Sequence, residues 1–93
     1  MLAYRNSTKI VGDILSFTEQ TGQQGINTTS LLTKANLSHL RLSKFMENLT
    51  GAGLIATKEI DKKNAFIITQ KGRQYLESYQ KFSSVVESFG LEL

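Results

Sequence analysis

The amino-acid sequence predicts an α+β domain in which three helices come first, a two-stranded hairpin follows, and a fourth helix closes the chain. Side-chain caps and apolar residues at helical spacing mark helices over about residues 8–21, 28–34, 38–50 and 70–88. β-Branched and aromatic residues on either side of a polar turn mark strands over 54–60 and 65–69. The 93 residues show no repeat or linker, so they are expected to form one domain.

The segment from Asn27 to Leu54 organises this prediction. Asn27 is a side-chain cap for the second helix, residues 35–37 form a tight turn, and Ser38 caps the third helix. Asn36 suits the turn because asparagine tolerates the left-handed backbone conformation. Two helices joined in this way form a helix-turn-helix, whose second helix can enter the major groove of DNA. The alternative is an αα-hairpin that only contributes to the core.

The third helix is expected to have a buried and an exposed face. Leu42, Met46 and Leu49 recur at helical spacing, so their side is predicted to be buried, together with Phe45. Because a helix turns by about 100° per residue, the opposite face carries a different set of side chains. That set consists of Leu40, Ser43, Lys44 and Glu47, with Arg41 and Asn48 on its flank.

A hairpin that follows a helix-turn-helix is a wing, so the predicted fold is a winged helix-turn-helix. Residues 61–64 are polar and are expected to form the turn of the wing, with Lys62 and Lys63 at its tip. Ile26, between the first two helices, is expected to add one short bridge to the sheet. Thr69 is the predicted cap of the last helix. Gly72 would allow another backbone to approach that helix closely.

The composition argues against several kinds of site. No cysteine is present, and the single histidine, His39, cannot form a metal cluster, so neither a metal nor a cofactor is expected. No histidine or acid stands at a useful spacing from a hydroxyl, so the protein is not expected to be an enzyme. No apolar run reaches the roughly 18 residues of a membrane span, and residues 1–10 lack the apolar core of a signal peptide. We therefore expect a cytoplasmic protein, and nothing indicates a small-molecule ligand.

The positive charge is concentrated in the middle of the chain. The formal net charge is +3, which is modest. Residues 1–33 are neutral, residues 34–73 contain eight lysines and arginines against three acidic residues, and residues 74–93 have a net charge of −2. A basic surface that includes the helix-turn-helix and the hairpin is typical of a phosphate-binding footprint. An ordinary solvated surface would explain the charge alone equally well.

Four segments of the chain together indicate a family. They are Tyr4-Arg5 ahead of the first helix, Lys34-Ala35-Asn36-Leu37-Ser38 at the turn, Gly53-Leu54-Ile55 at the start of the wing, and Ile68-Thr69-Gln70-Lys71-Gly72, continued by Tyr75-Leu76 and Tyr79, at the start of the last helix. In this order and spacing, nearly the whole chain resembles the small archaeal winged-helix proteins that are described as DNA-binding or chromatin-associated. It is also similar to the wider set of archaeal winged-helix regulators.

The resemblance implies a homodimer that forms through the C-terminal helix as an antiparallel coiled coil. Two features depart from an abundant DNA-compacting protein. The predicted outer face of the third helix carries apolar Leu40 and acidic Glu47, and the net charge is low. Both departures favour transcription regulation over DNA compaction.

Eight residues are the predicted DNA contacts. Arg41 and Lys44 are expected to contact phosphate or guanine, and phosphate is the commoner partner. Leu40 would meet a thymine methyl group or, alternatively, the second helix. His39 would contact a phosphate or a base edge, unless it is partly buried at the helix end. The full set is Ser38, His39, Leu40, Arg41, Ser43, Lys44, Lys62 and Lys63.

The last helix carries a second apolar stripe whose residues alternate at intervals of four and three. This is the heptad pattern of a helix that faces another helix. The stripe is Tyr75, Tyr79, Phe82, Val86, Phe89 and Leu93, flanked by Leu76 and Val85. Tyr75, Leu76 and Tyr79 lie close enough to the wing to pack on their own domain, whereas the later residues are expected to project past the core. Gly90 would either end the helix or only weaken it.

The sequence thus predicts a winged helix-turn-helix domain over residues 1–74 and a dimerisation segment, continuous with it, over residues 75–93. Tyr79, Phe82, Val86, Phe89 and Leu93 are the predicted dimer contacts. The predicted function is binding of double-stranded DNA by a nucleoid-associated transcription regulator, with helix 38–50 in the major groove and the wing lysines on the backbone. The alternatives are a protein-interaction module that does not bind DNA and a DNA-organising protein.

Overall fold

The computed structural model describes residues 6–92 and contains the predicted order of elements. Helices α1 (Ser7–Thr21), α2 (Thr28–Ala35) and α3 (His39–Gly51) precede strands β1 (Ile55–Ile60) and β2 (Lys63–Ile68), and helix α4 (Gln70–Ser88) follows. A single 3₁₀ turn, Gly22–Gln24, joins α1 to the segment before α2. The α+β prediction is therefore confirmed, and the predicted helices 8–21, 28–34 and 38–50 each agree with the observed bounds to within one residue. Tyr4-Arg5 and Leu93 lie outside the described residues.

Each of the four α-helices begins at a side-chain cap. Asn6, Asn27, Ser38 and Thr69 accept hydrogen bonds from the backbone N–H three residues later, at 2.8, 2.8, 3.2 and 3.0 Å. Such a bond stabilises a helix because the first backbone donors have no partner inside it. Asn6 and Ser7 are both residue types that can cap α1, and in the structure Asn6 is the cap. Asn36, which ends α2, has the predicted left-handed conformation, with φ 53° and ψ 51°.

The wing is an antiparallel hairpin with a shorter turn than predicted. Ile55 pairs with Ile68 and Ile60 pairs with Lys63, so only Asp61 and Lys62 connect the strands. Both have positive φ, 52° and 64°, as the type I′ form of a two-residue hairpin turn requires. The predicted turn over residues 61–64 was wrong in its length, because Lys63 and Asn64 already belong to β2. The short bridge predicted at Ile26 is confirmed, and it pairs with Phe66 in β2.

One apolar core lies between the three-helix unit, the base of the wing and the first part of α4. Leu42, Met46 and Leu49 of α3 are buried in it, as predicted, and Phe45 is half-buried. The other large members are Ile10, Ile14, Leu15, Ile26, Leu31, Leu54, Ile55, Ile68 and Leu76. Because α3 uses one side for this core, its other side remains at the surface.

Helix α4 starts in the core and then leaves it. Gly72 and Leu76 are buried, whereas Phe82, Val85 and Phe89 are exposed. The helix stops at a C-terminal motif in which Gly90, at φ 72°, follows the capping residue Phe89. The Leu91 N–H bonds to the Val86 carbonyl at 3.0 Å and the Gly90 N–H to the Glu87 carbonyl at 2.9 Å, which is the Schellman arrangement. Gly90 therefore ends the helix. Within residues 6–92, no helix is both long and apolar enough to cross a membrane.

Candidate nucleic-acid interface

The outward face of α3 is the first part of the candidate interface. His39, Leu40, Arg41, Ser43 and Lys44 are all exposed on it, as are Glu47 and Asn48. Leu40 is 67% exposed, an unusual position for a large apolar side chain. His39 is exposed, which favours the predicted contact over the alternative of a partly buried histidine. Its Nδ1 lies 3.5 Å from the Ser43 hydroxyl one helical turn later.

Ser38 has a structural task beside its predicted contact with DNA. Its hydroxyl oxygen accepts the Arg41 N–H and so holds the start of α3. The hydroxyl hydrogen is not used in that bond, and a hydroxyl group can donate while it accepts. Ser38 is exposed. The geometry therefore allows Ser38 to cap the helix and to donate a hydrogen bond to an acceptor outside the protein.

The cations of the basic middle segment fall into two groups. Six of the eight form no hydrogen bond or ion pair through their side chains within residues 6–92, and all six are exposed; they are Lys34, Arg41, Lys44, Lys62, Lys63 and Arg73. Lys58 and Lys71 instead donate to backbone carbonyl oxygens, of Gln23 at 3.1 Å and Ala52 at 2.7 Å. A sum of charges along the sequence cannot separate the two groups. The acceptors of Lys58 and Lys71 lie 35 and 19 residues away in the chain, and the sequence alone does not show these contacts.

A small pocket of about 120 Å³ lies between α2, α3 and the wing. Leu42, Met46 and Phe66 provide its apolar lining. Thr28, His39 and Ser43 place polar groups at the same pocket. Thr28 did not emerge from the sequence as a site residue. The sequence feature that could have indicated Thr28 is its position directly after the Asn27 cap, at the start of α2. There Thr28 lines the same pocket as His39 of α3.

The apolar face of α4 is a second surface feature. We use this name for Tyr75, Phe82, Val85, Phe89 and Leu91, all of which are exposed. The exposed fraction of the three aromatic side chains rises along the helix, from 39% at Tyr75 to 55% at Phe82 and 75% at Phe89. Leu91 was not predicted. The sequence feature that could have indicated Leu91 is Gly90 directly before it, because the apolar residue after a Schellman glycine commonly contacts the last helical turn.

The predicted dimer residues do not share one environment. Phe82 and Phe89 belong to the exposed apolar face of α4, and Val86 is half-buried beside them. Tyr79 packs against the core of its own domain, where a Cβ atom on Gly12 would overlap its ring. Leu93, the last residue of the predicted stripe, lies outside the described residues, and α4 ends at Ser88, within the predicted bounds 70–88.

The environment of Tyr79 also changes its acidity. Burial raises the pKa of the Tyr79 hydroxyl, because the phenolate would lose hydration, and the negative charges of Asp13 and Glu87 and the nearby Tyr75 raise it further. The Tyr79 hydroxyl therefore loses its proton at a higher pH than an exposed tyrosine does. No group of three or more histidine, aspartate or glutamate side chains lies close enough to hold a metal ion in the part of the chain that the structure describes.

Solved structures with the same architecture include DNA complexes. Sso10a-2, a DNA-binding protein from Sulfolobus solfataricus, matches with a TM-score of 0.79 at 21% identity, over 91% of this chain and 85% of that chain. The transcriptional repressor CouR bound to a 23-mer duplex matches with a TM-score of 0.70 at 20% identity, over 78% and 52%. A mutant of Staphylococcus aureus MepR bound to an oligodeoxyribonucleotide matches with 0.73 at 16%, over 86% and 60%.

These identities show a shared fold. The chain spans only 52% of the CouR chain and 60% of the MepR chain, but 85% of Sso10a-2. No curated protein sequence matches this chain significantly. A sequence model of a family described as winged helix-turn-helix matches residues 4–87, which is nearly the whole chain. The match confirms the fold and the resemblance that the sequence predicted: the chain belongs to the winged helix-turn-helix family.

Proposed function

We propose that this protein binds double-stranded DNA as a transcription regulator, without catalysing a reaction. The observation that carries the proposal is the division of the cations. Arg41 and Lys44 on α3 and Lys62 and Lys63 on the wing are exposed and form no ion pair within the described residues. A cation that has no partner within the described residues is free to neutralise a phosphate, and such contacts supply much of the affinity of a protein for DNA. The winged-helix DNA complexes of CouR and MepR have the same fold and support the proposal.

In the proposed complex, α3 lies in the major groove and the wing lies along the flanking backbone. Arg41 and Lys44 contact a guanine edge or a phosphate, and Leu40 meets a thymine methyl group. Lys62 and Lys63 hold phosphates, which fixes the position of the protein without reading the sequence. Ser38, His39 and Ser43 donate to phosphates or base edges near the start of α3. Such a complex places the protein on the nucleoid in the cytoplasm.

We also propose that the protein acts as a homodimer through the C-terminal part of α4. Residues 1–74 would form the DNA-binding unit, and residues 75–93 would form the dimerisation segment. The support is the apolar face of α4, because Phe82, Phe89 and Leu91 are more than half exposed on one chain. Exposed apolar patches of this kind commonly mark protein–protein contacts. Antiparallel pairing rests on the family resemblance alone.

Leu40 and Glu47 favour a second candidate function, a protein-interaction module. Leu40 is 67% exposed in the middle of the face that should meet DNA, and Glu47 would repel phosphates from the same face. An apolar side chain beside an acid suits a protein surface. A third possibility, a DNA-organising protein, shares the DNA contacts of the first proposal and differs in covering long stretches of duplex without sequence preference.

A gel shift with random duplex at low and moderate salt tests the proposal. We expect binding at low salt that weakens steeply as salt rises, because counterions are released from neutralised phosphates. Leu40→Ser is a useful comparison variant. It should leave non-specific binding nearly unchanged if Leu40 meets only a thymine methyl group. Absence of any shift at low salt with the folded protein would refute DNA binding and favour the interaction module. Ladders of regularly spaced complexes on long duplex would favour the DNA organiser.

A further inference from the structure

The turn that closes the C-terminal end of α3 contains three backbone carbonyl groups that accept hydrogen bonds from a different element. The Leu54 N–H bonds to the Leu49 carbonyl and the Gly53 N–H to the Thr50 carbonyl, both at 3.0 Å. Gly53 takes φ 79°, so this is again a Schellman motif. The motif uses the carbonyls of Leu49 and Thr50. The carbonyl oxygens of residues 52, 53 and 54 are left for donors from elsewhere.

The start of α4 supplies a donor to each of these three oxygens. The Lys71 ammonium donates to the Ala52 carbonyl at 2.7 Å, and the Thr69 hydroxyl donates to the Gly53 carbonyl at 2.6 Å. The Thr69 backbone N–H donates to the Leu54 carbonyl at 3.1 Å. Three successive carbonyls directly after α3 are thus bound by two residues at the beginning of α4. We call this set of contacts the α3–α4 latch.

Two further features keep the latch rigid. The Thr69 hydroxyl also accepts the Gly72 N–H at 3.0 Å, so the same group caps α4 and holds the end of α3. Gly72 allows the two backbones to meet, because a Cβ atom there would overlap the Leu54 carbonyl oxygen and the Ile68 side chain. The segment 68–72 is one of those on which the family resemblance rests. Its Thr69 and Lys71 donate to the carbonyls after α3, and its Gly72 leaves room for the Leu54 carbonyl.

We infer that the α3–α4 latch sets the orientation of the DNA-reading helix relative to α4, and that Lys71 is a positioning residue for DNA binding. This inference rests on the proposed function. If α4 joins two chains, the angle between α3 and α4 decides how the two copies of α3 are presented to one duplex. A positive charge on the carbonyl end of α3 is also favourable for that helix, because the helix dipole is negative there.

The inference assigns Lys71 a role different from that of Lys62 and Lys63. All three are exposed lysines in the basic segment of the chain. Lys71 differs because its ammonium group already has an acceptor on the protein. A phosphate contact would have to compete with that bond. Removing Lys71 should therefore change the position of α3 without removing a phosphate contact.

A distance measurement within one chain tests the orientation directly and needs no DNA. The chain has no cysteine, so the double variant Glu47→Cys/Ser84→Cys places spin labels only on exposed positions of α3 and α4. Labelled protein is diluted with unlabelled protein, so that distances between chains do not contribute to pulsed EPR. We expect one narrow distance distribution in this background. Adding Lys71→Met should shift or broaden it, and Lys71→Arg should restore it.

Lys81→Met is the matched control, since Lys81 is also a lysine of α4 but pairs with Glu77 at 3.3 Å, away from α3. It should leave the distance unchanged. Circular dichroism checks that each variant folds, and Lys71→Gln, which is polar and shorter, replaces Lys71→Met if the latter does not. An unchanged distribution in the folded Lys71→Met or Lys71→Gln variant would overturn the inference.

Duplex affinity provides the second readout. Lys71→Met should weaken binding by roughly fivefold or more, a typical strength of coupling between sites, while the slope of log K against log salt stays the same. A slope lower by about 0.9, with no change of distance, would mean that Lys71 is a phosphate contact and not a positioning residue. If the unmodified chain does not bind duplex at all, the proposed function fails, whereas the EPR distances still decide whether the latch orients α3.

Discussion

Helices α3 and α4 both bury one side and expose another, but their exposed sides have opposite chemistry. The outward face of α3 carries His39, Arg41, Ser43 and Lys44, with Leu40 as its one large apolar side chain. The apolar face of α4 carries aromatic and aliphatic groups whose exposure increases towards the end of the helix. A polar face can remain in water or bind phosphates. An apolar face of this kind is more stable when another apolar surface covers it.

An apolar stripe along one helix does not have to be buried over its whole length in the core of its own chain. In α4, Leu76 and Phe82 belong to one broad apolar stripe in the sequence. Leu76 is 2% exposed in the core, and Phe82 is 55% exposed beyond it. The boundary falls at Tyr79, which packs on Gly12. The first part of α4 therefore belongs to the core, whereas the apolar side chains of its second half stay exposed on one chain.

The largest effect is expected from charges on the apolar face of α4. Phe82→Asp with Val86→Asp should give a folded monomer, because the core ends before these positions, and should weaken DNA binding by about 100-fold through lost avidity. Sedimentation and a duplex titration measure the two effects.

The matched control for this variant is Gln80→Asp with Ser84→Asp. Both positions are exposed and lie on the opposite side of α4, so the control adds the same charge and should remain a dimer. If sedimentation shows the unmodified protein as a monomer at tens of micromolar (about the range of a weak dimer), the role assigned to this face is wrong.

The next effect concerns the polar face of α3. Arg41→Ala should weaken duplex binding and, if Arg41 contacts a base, reduce the preference at one base pair by roughly 1–3 kcal/mol. Affinities for a set of duplexes that vary one base pair at a time measure this. Asn48→Ala, at the same flank of α3, is the control. Equal losses on every duplex would make Arg41 a backbone contact.

A smaller effect is expected from the wing, and it tests the division of the cations. Lys62→Ala with Lys63→Ala should weaken binding to all duplexes about equally and lower the salt slope by about 0.9 for each lost contact. Lys58→Ala, in the same hairpin, removes an ammonium group that is bound to the Gln23 carbonyl, so the slope should not change. Affinity and slope that are unaffected by the double variant would remove the wing from the interface.

The smallest effect is on stability and occurs in alkaline solution. The raised pKa of Tyr79 means that the folded state retains a proton that the unfolded chain loses near pH 10.0. Stability from this source is complete below that pH and declines as the pH rises towards the folded-state pKa. Urea unfolding from pH 8 to 11 should therefore show a smaller alkaline loss in Tyr79→Phe than in the unmodified protein. Identical profiles would contradict a folded-state shift at Tyr79.

Much of the fold follows from local signals in the sequence. Asn27, Ser38 and Thr69 cap helices as predicted, because a cap needs only residues a few positions apart. The buried stripe of α3 was also predictable, since its period of three and four residues reports one helix face. The length of the wing turn was not. Asp61 suits the positive φ of such a turn, but Lys62 also takes positive φ at the position where glycine is preferred.

The candidate interface was predictable as a set of surface residues but not in its internal connections. The exposure of Arg41 and Lys44 follows from their angle on α3. The bonds of Lys58 and Lys71 to distant carbonyls depend on how the wing and α4 pack, and local spacing contains no such information. The half-burial of Tyr79 has the same origin. The DNA and dimer contacts themselves stay predictions.

Asp61 and Lys62, at the tip of the wing, both have a left-handed backbone conformation. At residue 62, the residue that suits this conformation best differs from the residue that suits the proposed contact with DNA. Glycine suits such a turn, and a residue with a side chain costs about 1–2 kcal/mol more in this conformation. Lys62 accepts that cost, and in return the turn holds a cation at the farthest point of the hairpin. Selection for stability alone would favour glycine at residue 62. In a library of variants at residue 62, selection for thermal resistance should therefore enrich glycine, whereas selection for duplex binding should enrich lysine.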